Sequence, residues 1–202
     1  MARIKDLKGL TDSGYWDSIW KKVKKLPAVN TKTSFVDKQI STIIQKEIID
    51  KPNVKICQLG CGTGKWLKFL VENITKISEI WGLDFAPSAV ELSIKNLKST
   101  KTNIPFHVIS GDILSLPAPF NGKTFDFIFS IGVFEHFFNW EEVIKLSSLC
   151  LKPGGKMLTV IPNLEGLNGL IMKRFNPQSY ARHIVISPEE LERAYKKQDL
   201  VM

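Results

Sequence analysis

The sequence predicts a doubly wound α/β fold with a mostly parallel sheet. Short apolar runs of strand length alternate with stretches of helical period, a glycine-rich bend follows the first of those runs, and a Pro-Gly-Gly turn precedes the last. Strands separated by helices need right-handed crossovers, which set neighbouring strands parallel.

The elements follow in order. "WDSIWKKV" sets Trp16, Ile19, Trp20 and Val23 at helical spacing with lysines opposite, an amphipathic helix ending near Pro27. Val36, Ile40, Ile43, Ile44 and Ile48 form a second stripe, closed by "DKPN" at 50–53. "VKICQL" (54–59) has the length and apolarity of a buried strand, and Leu67, Leu70, Val71 and Ile74 mark the helix after it. "SEIWGLD" (78–84) is the second strand, and Pro87 suits the first turn of a helix carrying Val90, Ile94 and Leu97. "FHVIS" (106–110) and "FDFIFS" (125–130) are the third and fourth. Asn139 with Glu142 three residues on reads as a capping box before Val143, Leu146 and Cys150, and "LKPGGKMLTVI" (151–161) supplies the fifth strand. One compact domain is expected, with an N-terminal helical lid or arm (1–50), a ligand-binding α/β core (51–162) and a substrate-side helical segment (163–202).

Composition sets bounds. The 202 residues, 44% hydrophobic and 24% charged, suit a globular chain that buries roughly 70% of its unfolded surface. "MARIKDLKGL" lacks the apolar stretch of a secretory signal and no run reaches the ~18 apolar residues of a membrane span, so a cytoplasmic location is expected. Cys57, Cys61 and Cys150 are too few for a disulfide framework, and the first two lack further ligands at metal-binding spacing, so no metal is expected. The net charge is +8, and residues 1–32 hold eight Lys or Arg against three Asp. That basic arm admits RNA as a partner; a solvated helix face explains it as well.

The stretch "CQLGCGTGKW" carries the chemistry. In a doubly wound sheet the first strand-to-helix bend lines the ligand crevice. The dinucleotide fingerprint needs glycine at 65 and finds Lys65; the phosphate loop needs glycine at 59 and Ser or Thr at 66 and finds Leu59 and Trp66. What fits is G-x-G-x-G, through Gly60, Gly62 and Gly64, with Cys61 and Thr63 as small fillers. Glycines let main chain pass close to a ligand, and a helix N-terminus offers N–H groups to a carboxylate.

"QLGCGTG" resembles the first motif of the class I S-adenosylmethionine-dependent methyltransferases, and the similarity continues in order from about residue 50 to 162 through "GLDFAPSAV", "GDILSLP", "FDFIFSIGVFEHF" and "LKPGGKMLTV". The resemblance implies S-adenosylmethionine as cofactor. It implies Asp84 on the ribose hydroxyls with Phe85 beside it, Asp112 and Ile113 at the adenine, and Ser130 in the fourth-strand segment of the cofactor site. Tyr15 and Trp16 would close over the cofactor, as N-terminal aromatic residues do in similar enzymes; simple packing of that helix is the equal alternative.

For methyl transfer, His136 in "FEHF" is the candidate general base, with a structural or cofactor-proximal histidine as its alternative. Phe134, Phe137 and His183 are candidate substrate contacts, while His107, inside a strand, is read as structural. The leading function is methylation of O or N on a small-molecule acceptor. RNA or protein acceptors, and a non-catalytic cofactor-binding or partner-activating protein, are the alternatives. A nicotinamide reductase is disfavoured by Lys65. "NLEGLNGLIMKRFNPQSY" (163–180) is expected to be a crossover helix packed on the sheet, with a lid or a surface for a lipid-like acceptor as alternatives. Family members generally have seven strands, so this chain is expected to lack the last one or two, leaving a sheet edge for a partner or a second copy to cover.

Overall fold

The computed structural model describes residues 10–48, 51–118, 120 and 122–200. Its centre is β1 (Val54–Leu59), flanked on one side by β2 (Ile77–Asp84) and β3 (Phe106–Ser110) and on the other by β4 (Phe125–Ile131) and β5 (Leu151–Val160). All four pairings are parallel, giving the order β3-β2-β1-β4-β5. The strand order therefore reverses between β1 and β4, and a crevice opens at their carboxyl ends. No helix among the described residues is long and apolar enough to cross a membrane.

Two apolar layers clothe the sheet. On one face α2 (Phe35–Ile48) and α3 (Lys65–Asn73) bring Ile44, Leu67 and Leu70 onto Ile56, Phe127 and Phe129. On the other, α5 (Trp140–Ser148) and α8 (Pro188–Lys196) bring Val143, Ile144 and Tyr195 onto Cys57, Leu59 and Ile128. Neighbouring residues of β1 and β4 thus face opposite layers, as strand geometry requires. Helix α8 starts at a true capping box, with Glu190 N–H donating to Ser187 Oγ at 3.1 Å and Ser187 N–H to Glu190 Oε2 at 2.9 Å. The remaining helices are α1 (Ser13–Trp20), α4 (Pro87–Lys98), α6 (Leu167–Phe175) and α7 (Pro177–Tyr180).

Several expectations need correction. Helix α1 ends at Trp20, so Val23 lies beyond it. In α2, Val36 and Ile43 are exposed, while Asp37 and Ser41 are buried beside Ile40, Ile44 and Ile48. Asp37 turns inward because its carboxylate accepts the Asn30 N–H at 2.9 Å. Helix α4 buries Ser88, Ser93 and Asn96 more deeply than Val90 or Ile94. Its small polar face meets the glycine bend, with Ser93 Oγ donating to the Gly62 carbonyl at 2.9 Å and Asn96 Nδ2 to the Thr63 carbonyl at 3.1 Å. Asn139 caps α5 without a side-chain hydrogen bond; its backbone (φ −102°, ψ 49°) lies outside the extended region from which a side-chain cap is made, and its carbonyl takes the Glu142 N–H at 2.9 Å. The Pro-Gly-Gly turn lies within β5, where pairing to β4 jumps from Phe125↔Leu151 to Phe127↔Lys156.

Residues 163–180 form no helix packed on the sheet. Helix α6 exposes Leu167, Leu170, Ile171 and Phe175 and buries only Gly169. The glycine faces inward because a Cβ there would lie 1.8 Å from the Leu164 carbonyl oxygen, so the helix docks by its bare backbone and turns its apolar row outward.

Candidate functional site

Gly60, Gly62 and Gly64 all adopt left-handed φ values, +65°, +53° and +70°, and this folds the bend back over the sheet. The Gly60 and Cys61 N–H groups both donate to the Leu83 carbonyl, at 2.8 and 3.1 Å, fastening the bend to β2. At the end of β2, Asp84 is buried, its Oδ2 accepting the Gly62 N–H at 2.8 Å and its Oδ1 the Ala86 N–H at 3.0 Å. Burial raises its pKa, and these amides oppose that shift. A carboxylate offers about four lone-pair directions, so two remain for ligand hydroxyls.

Above the bend lies a crevice of about 330 Å³. Asp84 and Phe85 form one wall, Asp112 and Ile113 the next, and Val133, His136 and Phe137 the third. Trp16 and Trp20 roof it, stacked with ring centroids 5.9 Å apart. The roof is fastened on three sides: Ser13 Oγ donates to the Phe85 carbonyl at 2.8 Å, Ser88 N–H to Asp17 Oδ1 at 2.9 Å, and Leu10 N–H to the His136 carbonyl at 2.6 Å. Lys21 first, then Ser88, hold the Asp17 pKa down at about 2.

The third wall concentrates titratable groups. His136 Nδ1 lies 2.7 Å from the Arg182 carbonyl oxygen, which can only accept, so the proton sits on Nδ1 and Nε2 keeps its lone pair. Burial lowers this histidine to a pKa of about 4 and raises its neighbour Glu135 to about 7. Glu135 Oε2 is buried with no hydrogen-bond partner among the described residues. His183 stands behind, its ring centroid 4.5 Å from that of His136.

Gly60, Cys61, Gly62, Asp84 and Phe85 line the crevice, as do Asp112, Ile113, Trp16, His136 and Phe137. Five expected site residues do not form its wall. Gly64 caps α3 beneath the bend, and Ser130 is buried in β4 with its hydroxyl unpartnered. Phe134 is core, packed in the same layer as Val143 and Ile144. Tyr15 is half-buried outside the lining, edge-on to Trp16 and with the Arg182 guanidinium 4.7 Å from its ring centroid. His183 does not line the crevice and sits against His136, ring centroids 4.5 Å apart. His107 is tied to Glu79 at 2.9 Å and stacked on Trp81.

Trp20, expected only as part of the helix stripe, and Gln58, given no role of its own by the sequence, also line the crevice. Trp20 lies one helical turn from Trp16 on the same face, and Gln58 is the one amide in an apolar strand, immediately before the bend; both were readable signals. An adenosyl ligand with an amino-acid end suits these residues. Gln58 Oε1 is buried and lacks a partner, the bend offers bare main chain, and Asp84 retains free acceptor sites beside the apolar Phe85 and Ile113.

Comparison with known proteins agrees. The profile of a family described as "Methyltransferase domain" matches residues 50–199 of the 202. A Mus musculus protein described as a probable tRNA methyltransferase 9B is 32% identical over 131 residues, covering 63% of this chain and 25% of its own. The demethylmenaquinone methyltransferase of Lactococcus lactis is 32% identical over 117 residues, covering 57% and 44%. This chain therefore spans less than half the length of either relative. Among solved structures, Haemonchus contortus phosphoethanolamine N-methyltransferase 2 superposes with a TM-score of 0.63 at 16% identity, over 80% of this chain and 36% of that one, which is a likeness of fold. With the family profile spanning the sheet, the glycine bend and Asp84, the chain belongs to the class I S-adenosylmethionine-dependent methyltransferases.

Proposed function

We propose that the chain transfers a methyl group to an oxygen or nitrogen of a small-molecule acceptor held between the tryptophan roof and His136. The observation that carries this reading is the enclosure. The crevice is roofed by Trp16 and Trp20, and the roof is bonded to Phe85, Ser88 and His136. Such a space suits a compact acceptor better than a nucleic-acid strand. Bound S-adenosylmethionine supplies a sulfonium methyl already activated toward a lone pair. The protein's share is then chiefly to orient and to exclude water, and orientation is worth ~7 to 11 kcal/mol. A histidine held near pKa 4 is a feeble base at neutral pH, so His136 serves the acceptor by its place in the crevice wall more than by driving proton transfer.

A second reading, RNA as acceptor, is supported by Lys21, Lys22, Lys24 and Lys25, all exposed beside the roof, together with the tRNA methyltransferase among the relatives. Labelled methyl donor offered in parallel to a metabolite extract and an RNA fraction tests both. Label in a small molecule supports the first reading. Label confined to RNA replaces it with the second, and S-adenosylhomocysteine binding without label in either fraction points to the non-catalytic alternative.

A further inference from the structure

Glu135, His136 and His183 bring one ligand-competent atom each to within 4.8 Å of the others. They come from two distant segments, the turn Phe134–His136 after β4 and the stretch following α7. Main chain stitches the segments together. Ile184 N–H donates to the Glu135 carbonyl at 2.6 Å, and His136 Nδ1 to the Arg182 carbonyl at 2.7 Å. His183 Nδ1 likewise donates to the Ser179 carbonyl at 2.7 Å. Both rings are thereby fixed in one tautomer, each with an Nε2 lone pair to offer, and metal-binding histidines are commonly held in this way. Glu135 is 2% exposed, and its Oε2 has no hydrogen-bond partner among the described residues. A buried carboxyl oxygen without a partner is costly; a proton or a cation relieves it, and the two imidazoles beside it favour the cation.

We propose that Glu135, His136 and His183 form a site for one divalent transition ion with zinc-like ligand preference, its open position turned toward the oxygen of an acceptor. Two imidazoles with one carboxylate suit such an ion, whereas magnesium and calcium prefer oxygen throughout. Three protein ligands leave a coordination position open. His136 is the triad member that also lines the crevice, and in this proposal the open position faces that side. Ligand atoms within 4.8 Å of one another must draw somewhat closer to reach the ~2.0–2.2 Å of zinc–nitrogen and zinc–oxygen bonds around a single ion. The acceptor's place on the ion rests on the methyl-transfer reading; binding of the ion does not.

The test uses the tag-free full chain, stripped with chelator and titrated with Zn²⁺ by calorimetry and with Co²⁺ by visible absorption. We expect one ion per chain, with His183→Ala and Glu135→Gln each weakening it at least about tenfold. Glu135→Gln preserves side-chain shape, so ligation is still tested by that variant and by the unmodified chain should His183→Ala misfold. No saturable uptake by the unmodified chain, or full affinity in Glu135→Gln, overturns the site. S-adenosylhomocysteine titrated into the same samples separates the two claims: if it fails to bind, the acceptor's place on the ion falls with the methyl-transfer reading, and the ion titration still decides the triad.

Discussion

Asp84 Oδ2 accepts the Gly62 N–H at 2.8 Å, so the acid at the end of β2 and the middle glycine of the bend are held as one rigid unit. That carboxylate is buried and already shaped by main chain, and the remaining lone pairs are aimed before any ligand arrives. Asp84→Ala should therefore weaken S-adenosylhomocysteine binding by about 1.5 to 3 kcal/mol, roughly 10- to 150-fold, the worth of hydrogen bonds to a charged group. Titration calorimetry on a variant with unchanged circular dichroism decides it, and wild-type affinity removes Asp84 from the site.

Two glycines with the same backbone angle separate strain from crowding. Gly64 and Gly154 both have φ +70°, but a Cβ on Gly64 would lie 2.9 Å from Ser93 Cα, whereas one on Gly154 meets nothing within 4 Å. Gly154→Ala should cost about 1 kcal/mol, the left-handed penalty alone. Gly64→Ala should cost at least about 2 kcal/mol more, because α4 must retreat from the bend. Urea midpoints compare them; equal losses would show that α4 yields freely.

The roof should loosen in acid before the core does. Asp17 has a folded pKa of about 2 against an ordinary 3.8, so its contribution is complete above about pH 4 and fades as pH falls toward 2. Tryptophan fluorescence should change over that window while far-ultraviolet dichroism holds. In Asp17→Asn the fluorescence step should vanish; an identical step there assigns the transition to other carboxylates.

All three cysteines are buried, and burial pushes the Cys61 thiol to about 12 and Cys150 to about 11, with Cys57 well above its ordinary value. The thiolate is the reactive form. A thiol reagent at pH 8 should leave the native protein almost untouched and titrate three groups in denaturant. A fast single-site reaction in the native state would show that one of these pockets opens readily.

The sheet was legible because its signal is local. Each strand is a short apolar run bounded by turn residues, and the bend declares itself by three glycines. Contacts between distant segments were less readable. Asp37 and Ser93 are polar residues that only tertiary partners draw inward, through Asn30 and Gly62. His183 meets His136 across 46 intervening positions, and no period or motif encodes that approach. Helix α6 misled for a related reason: its apolar row reads as core, but the close approach of Gly169 to Leu164 decides which side docks.

Trp20 rests 3.1 Å from where a Gly62 Cβ would sit, closing the ligand's doorway from above. With Trp16 it forms a cover held by hydrogen bonds rather than by the core, so a ligand that enters or leaves by that side must first part the two rings from the glycine bend. Trp20→Ala would then alter the rates of ligand entry and exit more than the chemistry beneath.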